Sequence, residues 1–232
     1  MIDVIPAVLS QNYEDLKNKI ALVRGIVPVV QIDLCDGIFV QNKTWPFTTG
    51  GASDLNFQKI LNEEEGMPFW EDIDFELDLM VADAVENFDV YTKLSPKRVV
   101  FHLEAVGNLE DFKHFLEGMD VYVRDAIQIG LAINTTTPVE QIFPLINHVD
   151  FVQCMGIEKI GFQGQDFDER VLAQIKALKE KFPDLIISVD GGVNLKTAPA
   201  LSSAGATRLV AGNAILKSQD IREIISKLEN LV

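Results

Sequence analysis

The chain has 232 residues, and 47% of them are hydrophobic, which suits one globular domain with a full apolar core. Its formal net charge of −15 argues against binding to nucleic acid or to an anionic membrane surface, because both attract a basic patch. Two cysteines, Cys35 and Cys154, are too few for a disulfide framework, so we expect a protein of the reducing cytoplasm.

Short β-branched runs alternate with segments of helical period along the whole chain. In chain order, the pattern predicts strand 4–9, helix 13–23, strand 29–33, helix 55–61, strand 75–80, helix 85–94, strand 98–102, helix 109–118, strand 127–133, helix 139–146, strand 151–155, helix 169–182, strand 185–189, helix 197–204, strand 208–211 and helix 221–231. We expect no signal peptide, since the first residues lack a basic region and a long apolar stretch, and no run is long enough to span a bilayer.

This alternation predicts the fold class. Parallel strands need a crossover helix between them, so the order of elements favours parallel pairing. About eight strand–helix units fit the length of the chain, and we therefore predict an α/β fold, a single-domain (β/α)8 TIM barrel over residues 1–232. The alternative is an open doubly wound sheet, which the lack of a G-x-G-x-x-G motif after the first strand disfavours.

One connection, at about residues 41–74, is longer than the others. It contains Trp45-Pro46, Gly50-Gly51 and an acidic run at 63–65, and it predicts a loop with a short helix. Two interpretations stay open. The segment is either a surface insertion, which loops tolerate well, or a lid or subunit contact over the second strand.

Polar residues stand at the ends of three predicted strands. Gln31 and Asp33 share one face of the second strand, Asp78 follows on the third, and Asp190 ends the seventh. Inward-facing groups at the carboxyl ends of barrel strands gather at one mouth. Converging carboxylates repel one another and need a cation, a proton or water, so the pattern indicates a metal site or an acid/base pair. For any single aspartate, capping a helix or holding a loop is the alternative.

Glycine-bearing loops follow the last three predicted strands. Their residues of interest are Gly161, Gly164, Gly191, Gly192, Gly212 and Asn213. Phosphate sites in barrels of this kind are often built from the loops after strands seven and eight, where glycine lets the backbone approach the ligand. The three loops together predict a phosphate site on the same rim as the carboxylates.

At these positions, and in order along nearly the whole chain, the sequence resembles the ribulose-phosphate 3-epimerase family. The similar segments are 5–10 (IPAVLS), 33–42 (DLCDGIFVQN), 78–81 (DLMV), 101–105 (FHLEA), 161–167 (GFQGQDF), 189–193 (VDGGV), 204–206 (AGA) and 211–215 (AGNAI).

The resemblance implies an isomerase of carbohydrate metabolism, in the pentose phosphate pathway, that interconverts D-ribulose 5-phosphate and D-xylulose 5-phosphate. A proton would leave C3 on one face and return on the other, with Asp33 and Asp190 as the acid/base pair and a divalent metal stabilising the enediolate. The resemblance also implies that Ser10 binds substrate with the glycine loops, and that the chain forms homo-oligomers.

The sequence departs from the family at several of these positions. Where the family has histidines at the second and third strands, this chain has Gln31 and Asp78. Ala7 stands in place of a serine, and Gln163 in place of a glycine in the loop after strand six, which also lacks a proline. Cys35 replaces a methionine over the metal.

Two interpretations follow from the departures. In the first, Gln31, Asp33, Asp78 and Asp190 form an all-oxygen metal site, which favours Mg²⁺ or Mn²⁺ over Zn²⁺. In the second, the barrel binds a phosphorylated sugar without metal and without epimerising it. The repulsion within an empty carboxylate site favours the first.

Overall fold

The computed structural model describes residues 2–230, and within them eight parallel strands close into a barrel in chain order. The strands are β1 (Asp3–Val8), β2 (Val29–Cys35), β3 (Asp74–Met80), β4 (Arg98–His102), β5 (Gln128–Ile133), β6 (Phe151–Met155), β7 (Ile186–Asp190) and β8 (Arg208–Ala211). β1 pairs with β8 and thereby closes the sheet. The predicted (β/α)8 barrel is confirmed, and the open doubly wound alternative is wrong.

Helices connect successive strands around the outside of this barrel. The α-helices are α1 (Tyr13–Val23), α2 (Leu55–Leu61), α3 (Phe88–Thr92), α4 (Leu109–Glu117), α5 (Val121–Ala126), α6 (Arg170–Lys181), α7 (Ala198–Ala204), α8 (Asn213–Leu216) and α9 (Ile221–Glu229). Short polar side chains begin several of them: Asn12, Asn108 and Asp220 accept hydrogen bonds from backbone N–H groups in the first turns of α1, α4 and α9.

The predicted helices differ from the structure at a few places, and the one predicted at 85–94 is only the five residues of α3. The helix predicted at 139–146 is a 3₁₀ helix, Val139–His148, because Pro144 inside it has no N–H to donate. The short helices α5 and α8 were not predicted, since neither is long enough to show a helical period. Of the helix predicted at 221–231, Leu231 lies outside the described residues.

The alternation of each strand sends apolar side chains outward to the helices and a polar set inward. Ile32, Leu77 and Leu79 are fully buried in the main core between the sheet and the helices. Their neighbours along the strands therefore face the barrel interior. The β2–β3 register pairs Asp33 with Asp78, which places both carboxylates at one level near the mouth.

The long segment at 41–74 is attached to the barrel by a buried tryptophan. Trp45 is fully buried, its Nε1 donates to Asp54 Oδ1 at 3.1 Å, and its ring packs edge-on against Phe57. The segment contains the 3₁₀ helices Phe47–Thr49 and Gly51–Ser53 followed by α2. Its role as a lid or subunit contact stays a prediction, as does the single-domain assignment.

Among the helices that the structure describes, none combines the length and apolar character that a membrane crossing requires.

We expect Phe101→Ala to destabilise the barrel strongly. Phe101 is fully buried on β4, and its ring centroid lies 5.6 Å from that of Phe88, 5.4 Å from Phe112 and 5.7 Å from Phe115. Truncating such an aromatic leaves a cavity that costs about 3–5 kcal/mol. Urea unfolding measures the loss. Tyr122→Ala is the control, because Tyr122 is 81% exposed and its removal should change stability by less than about 0.5 kcal/mol. Equal effects of the two substitutions would contradict this packing.

Candidate active site

Three carboxylates converge at the carboxyl-terminal mouth of the barrel. Asp33 on β2, Asp78 on β3 and Asp190 on β7 each offer an oxygen, and these oxygens lie within 4.8 Å of one another. Asp33 is 3% exposed and Asp78 is fully buried. The sequence-based expectation that these three aspartates meet inside the mouth therefore agrees with the geometry.

A glutamine amide bridges two of the carboxylates. Gln31 Nε2 donates to Asp33 Oδ1 at 2.7 Å and to Asp190 Oδ2 at 2.9 Å. Gln31 Oε1 is buried and has no hydrogen-bond partner among residues 2–230. The amide thus presents its nitrogen to the carboxylates, and to ligate a cation through its oxygen it has to rotate about its last side-chain bond.

The third carboxylate is held by two other donors. His102 Nε2 lies 2.7 Å from Asp78 Oδ1, where it donates to the carboxylate, and Gln153 Nε2 donates to Asp78 Oδ2 at 3.2 Å. Neither contact was predicted from the sequence. The available signal for Gln153 was its place as an inward-facing polar residue in the middle of an apolar strand, β6.

Burial and mutual repulsion shift the acidity of this cluster. Burial raises the pKa of Asp33 well above its usual range, and the charges of Asp190 and Asp78 add to the rise. Burial also raises the pKa of Asp190 to about 7, with Asp78 as the next cause. Hydrogen bonds from Gln31 oppose both shifts. Carboxyl groups that titrate near neutral pH can serve as a proton donor and a proton acceptor.

Burial acts in the opposite direction on His102. It lowers the pKa of the imidazole, but the adjacent Asp78 carboxylate outweighs it, so the pKa of His102 is raised overall.

The donor set suits a divalent cation. Three carboxylates offer oxygen ligands, which hard cations such as Mg²⁺ and Mn²⁺ prefer, and Gln31 can add its amide oxygen if the amide rotates. A cation would also relieve the repulsion among carboxylates that are this close and this buried. The residues therefore fit such an ion.

A cavity of about 290 Å³ opens above the carboxylates. Asp33 and Asp190 line it, whereas Gln31 and Asp78 are fully buried and do not belong to the lining. The glycine loops predicted to bind phosphate form one wall, with Gly161, Gly164, Gly191, Gly192, Gly212 and Asn213 in the lining. Ser10 is placed elsewhere. It is fully buried outside the lining, and its carbonyl accepts from Trp45 N at 2.8 Å.

Close packing explains a glycine in this wall. Gly192 has a φ of +68°, and a Cβ there would lie 3.0 Å from the carbonyl oxygen of Gly156 and 2.9 Å from the Phe167 ring. Only glycine adopts this conformation readily in so little space. The loop after β7 thereby lies directly against the segment after β6.

The chain matches the ribulose-phosphate 3 epimerase family over residues 3–216, which is nearly its whole length and includes all eight strands. The chain belongs to this family. It is therefore a member of an enzyme family of isomerases, and the resemblance seen in the sequence is confirmed.

Individual relatives agree with this assignment. The chain is 30% identical to the ribulose-phosphate 3-epimerase of Bacillus subtilis, with 98% of each chain covered. It is 29% identical to that of Eremothecium gossypii, over 99% of this chain and 92% of the relative. Among solved structures, KGPDC from Streptococcus mutans aligns with a TM-score of 0.68 at 13% identity, over 100% of this chain and 97% of the other. At that identity the likeness shows the fold alone.

We expect the cation-free epimerase-family chain to lose stability as the pH rises towards neutrality. The pKa of Asp190 is about 7 in the folded chain, whereas an unfolded aspartate ionises near about 3.9. Between these values the folded state binds more protons than the unfolded state, so the free energy of unfolding falls as the pH rises. Melting temperatures in a chelator, measured from about pH 5 to about pH 7.5, should fall more steeply for the wild type than for Asp190→Asn, which does not titrate there.

Asp125→Asn is the control for this comparison, because Asp125 is exposed on α5 and its replacement removes the same charge far from the cluster. Its curve should run parallel to that of the wild type. If the Asp190→Asn curve also runs parallel, the raised pKa is refuted.

Proposed function

We propose that this chain is a ribulose-phosphate 3-epimerase that interconverts D-ribulose 5-phosphate and D-xylulose 5-phosphate by proton transfer at C3. The observation that carries the proposal is the pair Asp33 and Asp190. Both line the cavity, both accept from the Gln31 amide nitrogen, and both have a raised pKa. Their spacing and protonation suit one acid and one base acting on a single carbon.

The two aspartates play complementary roles in this mechanism. The ionised member removes the C3 proton from one face of the ketose, and the protonated member returns a proton to the other face. The reverse reaction exchanges their roles. Gln31 holds both carboxylates in position through its amide hydrogens. A carboxyl group with a pKa near the working pH is efficient in either role.

The glycine loops supply the proposed phosphate site. The lining after β7 and β8 presents backbone at Gly191, Gly192 and Gly212, with the Asn213 side chain beside it. Backbone N–H groups can bind a phosphate without a basic side chain. This explains how a chain with a net charge of −15 could hold an anionic sugar phosphate.

Asp33, Asp78 and Asp190 would hold the divalent metal, with Mg²⁺ or Mn²⁺ favoured over Zn²⁺. Gln31 would join them as an oxygen ligand only after its amide rotates, which would replace its hydrogen bonds to Asp33 and Asp190. When bound, such an ion supplies charge stabilisation for the oxygens of the enediolate. His102 and Gln153 would keep the Asp78 carboxylate oriented towards it. Through its family we also propose a cytoplasmic location and a homo-oligomeric state.

One observation favours a second candidate, a phosphosugar-binding barrel that does not epimerise its ligand. The Gln31 nitrogen already bridges Asp33 and Asp190, which stabilises the pair without a cation. Proton exchange at C3 separates the two candidates, because only the epimerase removes that proton.

Asp33→Asn and Asp190→Asn should each abolish proton exchange at C3. The amide can neither accept nor release the proton, so we expect a loss of about 10²–10⁴-fold in rate. Proton NMR of D-ribulose 5-phosphate in D₂O, with Mg²⁺ and with a chelator control, follows the disappearance of the C3 signal. Asp125→Asn should exchange at the wild-type rate. A wild-type protein that binds the sugar phosphate but exchanges no proton with any divalent ion would sink the epimerase proposal and support the second candidate.

Calorimetry should show that Mn²⁺ binds more tightly than Zn²⁺, because every proposed ligand atom is oxygen. Asp78→Asn should weaken Mn²⁺ binding by more than about 10-fold. Loss of a residue that only hydrogen-bonds to a metal ligand already lowers affinity by about 10-fold or more, and Asp78 is a proposed ligand itself. Asp89→Asn, on the exposed side of α3, is the matched control. Binding of neither ion, or a clear preference for Zn²⁺, would refute the oxygen-only metal site.

A further inference from the structure

The segment between β6 and α6 crosses the barrel mouth and is tied down at two points. Asn42 Nδ2, from the connection after β2, donates to the Gly161 carbonyl at 2.7 Å. Gln163 Nε2 donates to the Ala7 carbonyl on β1 at 3.0 Å. The segment therefore bridges strands that are far apart around the barrel, and Gln163 is its contact with β1.

The Gln163 carboxamide lies against the first residue of the loop after β8. A Cβ added at Gly212 would overlap the Gln163 carboxamide and would lie 3.2 Å from the Ala7 carbonyl oxygen. Gln163 also lines the cavity together with Asp33, Asp190 and the glycine loops. The Gln163 carboxamide therefore lies in the cavity wall between β1 and the proposed phosphate-binding loops.

The remaining hydrogen-bond donor and acceptor of this carboxamide suit a hydroxyl group. A glutamine amide has two N–H donors and an oxygen with two lone pairs, and the bond to Ala7 uses only one N–H. An alcohol both donates and accepts, so one hydroxyl can satisfy the remaining N–H or the oxygen. The hydrogen bond to Ala7 already holds the amide in one orientation, so the entropic cost of ordering it on ligand binding is lower.

We propose that Gln163 is a specificity-determining residue that recognises the hydroxyl on the carbon next to the phosphate-bearing carbon of an open-chain sugar phosphate. The inference rests on the proposed function, in which the aspartates act at C3 and the glycine loops bind the phosphate on C5. The hydroxyl between these two ends is the one on C4. A site built to bond that hydroxyl disfavours ligands that lack it, because its own polar group is then left unpaired.

Two small phosphate esters test this recognition without catalysis. Glycerol 3-phosphate carries a hydroxyl next to its phosphate-bearing carbon, and 3-hydroxypropyl phosphate lacks it. By calorimetry, the wild type should bind the first about 10-fold more tightly than the second, the factor that one good hydrogen bond provides. Gln163→Ala should bind both alike, while the affinity of each protein for inorganic phosphate stays within about 2-fold.

Two further variants control for loss of fold and of position. Gln163→Asn keeps the amide but is too short to reach the Ala7 carbonyl, so it should also lose discrimination. Gln141→Ala removes an exposed glutamine from the 3₁₀ helix after β5 and should behave as the wild type. Melting temperatures of all variants, taken together, identify any that fail to fold.

Kinetics separate this inference from the proposed function. If the wild type epimerises D-ribulose 5-phosphate, Gln163→Ala should raise KM about 10-fold with a smaller change in kcat, since binding is lost before the reaction begins. Unchanged KM and retained ester discrimination in Gln163→Ala would overturn the inference and leave the epimerase proposal standing. A different result is that the wild type shows no turnover but still distinguishes the two esters, with Gln163→Ala losing that distinction. This result would overturn the epimerase proposal and support recognition of the hydroxyl by Gln163. Failure of the wild type to distinguish the esters would overturn the recognition outright.

Discussion

The mutual repulsion of three buried carboxylates is the constraint on which the site depends. Closure of the barrel places oxygens of Asp33, Asp78 and Asp190 within 4.8 Å of one another, where solvent screens their charges less than at the surface. Polar neighbours reduce that repulsion by donating hydrogen bonds to the carboxylates. Gln31 donates to two of the carboxylates, while His102 and Gln153 donate to the third. Burial first, and the remaining repulsion second, raise the pKa values of Asp33 and Asp190.

The chemical character of the cluster depends on the two side chains by which this chain departs from its family. Asp78 adds a carboxylate where the family has a histidine, and Gln31 places an amide N–H donor beside the other two carboxylates. The same substitutions change the hydrogen bonding. Asp78 becomes the acceptor for His102, and Gln31 becomes a donor to both Asp33 and Asp190. Under the proposed function, cation binding and positioning of the two aspartates would depend on the same residues.

The wall of the cavity is built from segments that depend on one another. Gly192 packs against the carbonyl of Gly156, so the loops after β6 and β7 fit together only if residue 192 has no side chain. Gln163 closes the wall by reaching from the β6 side to Ala7 on β1, across Gly212. Phosphate binding and recognition of the sugar would thus share one continuous surface, which the acidic chain provides largely from backbone groups and carboxamides rather than from basic side chains.

The sequence by itself determined the elements of this protein and the residue types at its mouth. The alternation of apolar strands and helical segments predicted a parallel barrel, because that periodicity is local and can be read from one sequence. It also placed Asp33, Asp78 and Asp190 at strand ends, and glycines in the three loops above them. Its errors lay in short or irregular elements such as the 3₁₀ helix around Pro144, where local hydrogen bonding overrides the apolar period.

Only the tertiary structure decided which of these groups touch. Barrel closure and strand stagger set the pairs that lie far apart in sequence, such as Gln31 with Asp190 and Gln163 with Ala7. The orientation of the Gln31 amide, with its nitrogen rather than its oxygen facing the carboxylates, depends on Asp33 of its own strand and on Asp190 of β7. Ser10 shows the same limit, since the Trp45 segment buries it away from the cavity. Residue type and order are properties of the chain, but a hydrogen bond across a barrel exists only after the barrel has closed.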